Sequence, residues 1–147
     1  MTRTEIFNVL GRLPGNGGPL AKETVVLGAH YDHLGIAKPV DGDSIYNGAR
    51  DNAAGVGEML AIAEALNRAE LSGKRSIIFA AFGGEEAGLL GSQAMIDRPF
   101  MPLQNVAAML NFDGANLFGR TRDIAANGSD QSSLLGALQA AARLEGL

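Results

Sequence analysis

Consecutive apolar runs, more than strict alternation, set the pattern of the chain. "TVVLGAH" (residues 24–30), "GKRSIIFAAF" (73–82) and "NVAAMLNFD" (105–113) have the continuous small or β-branched character of strands buried on both faces. "IFNVLGRLPG" (6–15) reads as a further strand closed by Pro14 and Gly15, and "GNGGPLAKE" as the loop that follows. A polar loop, "AKPVDGDSIYNGAR", then leads to a helix from Asp51 or Asn52 to about Arg68, because Val56, Met59, Leu60, Ala63 and Leu66 recur at helical spacing. "AGLLGSQAMI" predicts a short helix stopped by "DRPFMP", and "RTRDIAANG" one more strand. "SDQSSLLGALQAAARLEGL" predicts a final helix with Ser129 or Asp130 as its N-cap. Strands alternating with helices imply the α/β class, with a central, mostly parallel (mixed) sheet flanked by helices on both faces.

Composition narrows the picture. With 147 residues and 46% hydrophobic content the chain can build one core, so residues 1–147 are expected to form a single domain. A net charge of -4 with scattered Lys and Arg argues against nucleic acid or an anionic membrane as partner. No apolar run reaches the roughly 18 residues of a membrane span, and "MTRTEIFNVL" lacks the apolar core of a signal peptide. The chain is therefore expected to be soluble, with any export signal outside it. Cysteine is absent, which excludes disulfides and thiolate sites and leaves oxygen and imidazole as the metal ligands available. The 20 glycines gather at the ends of apolar runs, where the backbone must turn or come close to something.

Three of those runs end in residue types that bind metals: His30, the pair Glu85 and Glu86, and Asp113. In open α/β sheets ligands sit beyond the carboxyl ends of the strands, so residues distant in sequence can meet there. Asp51 joins them at a helix start, where free N–H groups favour an anion and where an N-cap is the plainer reading. His30 and Asp32 in "HYD" are two apart and face one way on an extended segment, which suits a carboxylate that orients an imidazole. By the same rule His33 faces the other way and reads as a loop residue. Adjacent Glu85 and Glu86 diverge, so they suit two tasks better than one chelating pair.

Together "VVLGAHYDHLG", "NGARDNAAGVGEML", "IIFAAFGGEEAGLLGSQ" and "MLNFD" resemble the M28 family of zinc peptidases, co-catalytic aminopeptidases with an α/β fold. "NLFGRTRD" with the helix after it resembles one bacterial branch of that family. The resemblance implies a phosphorylase/hydrolase-like zinc peptidase fold and two Zn(II) ions per site. It makes His30 and Asp113 ligands of one zinc, Asp51 the carboxylate bridging both, and Glu86 a ligand of the other. Glu85 would be the general base that takes a proton from the attacking water, and Asp32 the partner of the His30 imidazole. A peptide is the implied substrate, and a secreted or periplasmic location the implied setting.

Two departures from the family pattern stand out. Arg50 occupies a position where the family often has a second Asp, placing a cation beside the metals without removing a ligand. The pattern also requires a later histidine for the zinc of Glu86, whereas the chain has only His30 and His33 and stops at Leu147. It thus resembles a catalytic domain truncated at the C-terminus. Counted this way, one metal has His30, Asp51 and Asp113 and the other only Asp51 and Glu86, so the chain is expected to bind the first metal better and to be weakly active or inactive. Missing terminal strands would leave an exposed sheet edge and favour self-association. The alternatives are a single-zinc glutaminyl cyclase, set apart by conversion of an N-terminal glutamine without release of an amino acid, and a non-catalytic interaction domain on the same scaffold.

Overall fold

The computed structural model describes residues 4–70, 73–116, 119 and 121–147. The chain divides into two compact units, residues 1–115 and 116–147. The first is built on a four-stranded sheet in the order β1-β5-β2-β6, comprising β1 (Val9–Leu13), β2 (Thr24–His30), β5 (Ser76–Phe82) and β6 (Val106–Asn111). β2 runs parallel to both β5 and β6, with Thr24 opposite Ser76 and Val106, while β1 lies antiparallel on β5. The fold is thus the mixed α/β sheet that the alternation of elements implied.

Both faces of the sheet are covered. The helix α1 (Ala54–Arg68) places Met59 against Leu27 and Ala29, with Val56, Ile62 and Phe79 around them. On the other face Val26, Ile78, Ala80 and Phe82 form a second cluster, and Met95 of α2 (Leu90–Asp97) packs on it. Neighbouring residues of β2 and β5 feed opposite clusters, which is why both strands read as unbroken apolar runs. The end of β5 distant from the acidic residues is locked by buried Ser76, whose hydroxyl donates to the Ala21 carbonyl and accepts from Gly15 N–H and Arg12.

Several expected elements take another form. The segment read as the polar loop "AKPVDGDSIYNGAR" is mostly taken up by a hairpin that begins two residues before it, β3 (Gly35–Val40) and β4 (Asp43–Tyr46). Its turn is Asp41-Gly42, both at positive φ (52° and 89°), the backbone that a tight hairpin demands and that an Asp-Gly pair supplies. β6 is an edge strand with exposed Met109 and Leu110, not a buried one, since among the described residues it pairs only with β2. Leu60 is 58% exposed, and the buried face of α1 runs instead through Gly55, Val56, Met59 and Ile62.

In the second unit, Arg120 of the expected strand "RTRDIAANG" lies outside the described residues, and 121–128 form no strand. A 3-10 turn at Ser129–Gln131 precedes α3 (Leu134–Leu144), so the helix starts later than its first capping candidates, with Ser132 Oγ accepting from Leu134 N–H. Among the described residues no helix is long and apolar enough to cross a membrane.

The two sides of α1 make a paired test. Met59→Ala is expected to lower the unfolding free energy by about 2–4 kcal/mol, and Leu60→Ser by less than about 0.5 kcal/mol, in urea melts. Equal losses would contradict this packing.

Candidate metal centre

Because β5, β2 and β6 are parallel, their carboxyl ends lie together, and the chemistry-bearing residues follow those ends. β2 ends on His30, whose imidazole is 3% exposed. Its Nδ1–H donates to the backbone carbonyl of Asp32 at 3.1 Å, an acceptor that cannot donate in return. In the neutral imidazole the lone pair is then on Nε2. Nε2 lies 3.0 Å from Asp51 Oδ1 and 3.5 Å from Asp113 Oδ1. A lone pair facing two carboxylates is repulsive unless a proton or a metal cation lies between them.

Asp51 and Asp113 are brought in by their neighbour Asn52. The chain leaves Gly48 (φ 65°) and passes through Ala49–Ala53, where Asp51 (φ -121°, ψ 93°) and Asn52 (φ -137°, ψ 37°) depart from helical geometry. The Asp51–Asn52 peptide bond is cis. Helix α1 begins at Ala54, with no side-chain cap, and Asp51 lies against His30 instead of capping the helix. Asn52 is 1% exposed. Its Nδ2 donates to Phe112 O at 2.9 Å, and its Oδ1 accepts from Gly55 N–H and Gly114 N–H, each at 3.1 Å. One amide thus joins the start of α1 to the backbone on both sides of Asp113. Gly55 is obligatory here, because a Cβ would collide with Asn52 Oδ1 and come within 2.5 Å of Phe112 O.

A second clamp holds the glutamates. Beyond β5 the chain turns at Gly84 (φ 73°), and Gly88 N–H and Leu89 N–H return to Glu85 O, so Glu85 and Glu86 sit on a tight turn and not on an extended strand. Asp32 Oδ1 accepts from Glu85 N–H at 3.1 Å and Oδ2 from Glu86 N–H at 3.3 Å. The Asp32 carboxylate is 3.8 Å from His30 Nδ1, so its hydrogen bonds go to the glutamate turn and the imidazole is met by the Asp32 carbonyl. The two glutamates diverge as expected. Glu85 lines a cavity of about 130 Å³ with His30, Asp113, Phe82, Leu89 and Met109. Glu86 lines a neighbouring one of about 390 Å³ with Asp32 and His33.

His33 lies in the loop after β2, as its reading as a loop residue had it, but on the side of Asp51 and Glu86 and not facing away from them. β2 stops at His30, so the alternation of an extended strand no longer applies at position 33. His33 Nδ1 lies 2.7 Å from Glu86 Oε1, and donor atoms of His33, Asp51 and Glu86 all fall within 4.8 Å of one another. His30, Asp51 and Asp113 form a second group meeting the same limit, with Asp51 common to both. The spacing suits a metal: tetrahedral zinc holds nitrogen and oxygen ligands at about 2.0–2.2 Å, hence roughly 3.3 Å from each other. The His30 distances of 3.0 and 3.5 Å bracket that value. Arg50 is exposed.

The profile of peptidase family M28 matches residues 8–146. The chain is 36% identical over 108 residues to a probable zinc metalloprotease of Pyrenophora teres f. teres, covering 74% of this chain and 22% of that protein. It is 33% identical over 124 residues to a probable leucine aminopeptidase of Trichophyton verrucosum, covering 79% of this chain and 31% of that protein. Among solved structures LapB from Legionella pneumophila matches with a TM-score of 0.56 at 28% identity, over 74% of this chain and 26% of that one. The chain therefore spans less than a third of each of these proteins.

Asn52→Ala removes the partner of Phe112 O, Gly55 N–H and Gly114 N–H together, and should cost about 2–4 kcal/mol in denaturant melts. A loss below about 0.5 kcal/mol would show that the clamp is replaceable by water.

A separate expectation concerns pH. Burial lowers the His30 pKa, but the charges of Glu85 and Asp113, the Asp32 carbonyl and Asp51 together raise it above its ordinary 6.5. Protonated His30 then contributes stability that is fully present below the unfolded value and is lost as pH rises through the folded one. Denaturant melts of the metal-free protein should show falling stability above about pH 6.5, with a flatter profile in His30→Gln. Identical profiles would rule this out.

Proposed function

The chain belongs to peptidase family M28, and from that premise we propose that it is the catalytic domain, or part of it, of a zinc-dependent aminopeptidase that releases N-terminal residues from peptides. The observation that carries this is the His30 imidazole, its proton directed to a carbonyl and its Nε2 facing Asp51 and Asp113. That donor set fits a divalent cation of the zinc type, with oxygen and imidazole ligands only. In this reading His30 and Asp113 hold one ion, Glu86 another, and Asp51 is shared, giving two per site. The names of the relatives, a zinc metalloprotease and a leucine aminopeptidase, support the metal and the exopeptidase direction.

Zinc bound there would polarise the scissile carbonyl and make water a stronger nucleophile near neutral pH. The protein groups supply the rest. Glu85 lines the same cavity as His30 and Asp113, and its carboxylate accepts the proton of the attacking water and passes it to the departing amine. Asp32 acts as a positioning residue, since it fixes the backbone of both glutamates. Phe82, Leu89 and Met109 in the Glu85 cavity offer an apolar wall to a substrate side chain. The secreted or periplasmic setting implied by the family belongs to the same reading. So does self-association through the β6 edge, supported by exposed Met109 and Leu110.

Glu85→Gln keeps the shape of the side chain and removes the base. In a version extended to the length of the relatives, hydrolysis of leucine p-nitroanilide should fall by about 100-fold or more, with bound zinc unchanged in equilibrium dialysis. Undiminished turnover in the variant would sink the assignment.

A further inference from the structure

The end of the sheet away from the metal centre carries another cavity, of different chemistry. We propose that it binds a small carboxylate with an apolar body, held by Lys22, Arg12 and Thr24 where the parallel strands begin. The proposal does not depend on the metal centre, since Thr24 and His30 stand at opposite ends of β2, roughly 20 Å apart along an extended strand.

The cavity has a volume of about 480 Å³ and lies wholly within the first unit. That is a size small ligands occupy. Strand register builds its wall. Arg12 of β1 stands opposite Ile78 of β5, and Thr24 of β2 opposite Ser76, so Arg12, Ile78 and Thr24 share one face of the sheet. The segment between α2 and β6 brings Phe100, Met101 and Asn105 against that face.

Three observations point to the ligand. Thr24 is 3% exposed, and among the described residues its hydroxyl has no hydrogen-bond partner. No fully enclosed side-chain nitrogen or oxygen is without a partner there, so the little of Thr24 that solvent reaches includes the hydroxyl, at the cavity wall. Hydroxyls this deep in a strand are ordinarily bonded.

Charge is the second. Lys22 and Arg12 line the cavity and no acidic side chain does, in a chain of net charge -4. Glu23, between Lys22 and Thr24 in sequence, is turned to Arg75, whose Nε donates to Glu23 Oε2 at 2.6 Å. Lys22 makes no ion pair among the described residues. Arg12 gives one N–H to Ser76 Oγ at 3.0 Å, which fixes the guanidinium and leaves its other donors for an anion. The third is the apolar surface of Ile78, Phe100 and Met101 on one side. A hydrated phosphate gains nothing from that surface, whereas an alkyl or aryl carboxylate buries its body there.

The test is a titration of the isotope-labelled chain with sodium hexanoate, followed in proton–nitrogen and methyl spectra and repeated in a version extended to the length of the relatives. The Thr24 amide and the Ile78 and Met101 methyl resonances should shift together and saturate in both. That readout needs no variant. Lys22→Gln, at an exposed position, should weaken hexanoate by about 10-fold, and Thr24→Val by about 5-fold. Hexylamine, of the same length and opposite charge, should leave these resonances in place, and inorganic phosphate should bind more weakly than hexanoate. Unmoved resonances with hexanoate in either version, equal binding of hexylamine or phosphate, or undiminished affinity in Lys22→Gln would each overturn the proposal.

Discussion

The site depends first on the buried amide of Asn52. Asp51 and Asp113 belong to elements far apart in sequence, and their charges repel, so nothing in the carboxylates themselves brings them to His30. Asn52 joins their backbones: it receives N–H groups from Gly55 and Gly114 and gives its own to Phe112 O. The Asn52 side chain is itself shielded from water, where a missing partner costs most. Gly55 is the steric counterpart, because only a residue without a Cβ lets α1 come this close. The geometry of the acidic cluster is thus maintained by uncharged hydrogen bonds one residue removed from the charges.

The same principle governs the other side. Asp32 spends both oxygens on the backbone N–H groups of Glu85 and Glu86. A carboxylate that accepts two such bonds is well satisfied as an anion, and it fixes the turn from which two further anions project. Asn8 adds support by accepting from Gly83 N–H and donating to Gly91 O, tying the N-terminal segment to the end of β5 and to α2. The result is a pre-arranged excess of negative charge at the carboxyl end of the sheet, stable as a set only with protons or cations among its members.

Much of this was legible in the sequence because burial on both faces leaves a plain trace. β2 begins and ends where its apolar run does, and the tips of the parallel strands carried His30, the glutamates and Asp113. What escaped notice lay where one local rule was extended past its range. The hairpin was hidden by polar residues although Asp41-Gly42 is a strong turn signal, and β6 kept an apolar run despite being an edge. The Asn52 clamp had no pattern to reveal it, since its partners are backbone groups of Gly55, Phe112 and Gly114.

His33 shows the limit most clearly. Alternation puts positions 30 and 33 on opposite faces only while the strand continues, and β2 ends at His30. After that residue the chain bends, and the question becomes where the bend is tied down. Tyr31 is bonded to both Phe82 and Phe7, which directs the next residues over the glutamate turn. Adjacent Glu85 and Glu86 then face different imidazoles for a reason outside themselves. The segment carrying His30 and His33 crosses above the turn of Asp32-held glutamates, so one bend in β2's continuation meets one bend after β5. Divergence of two neighbouring carboxylates and separation of two histidines are, in this fold, one geometric fact, with Asp51 lying between the two groups and belonging to each.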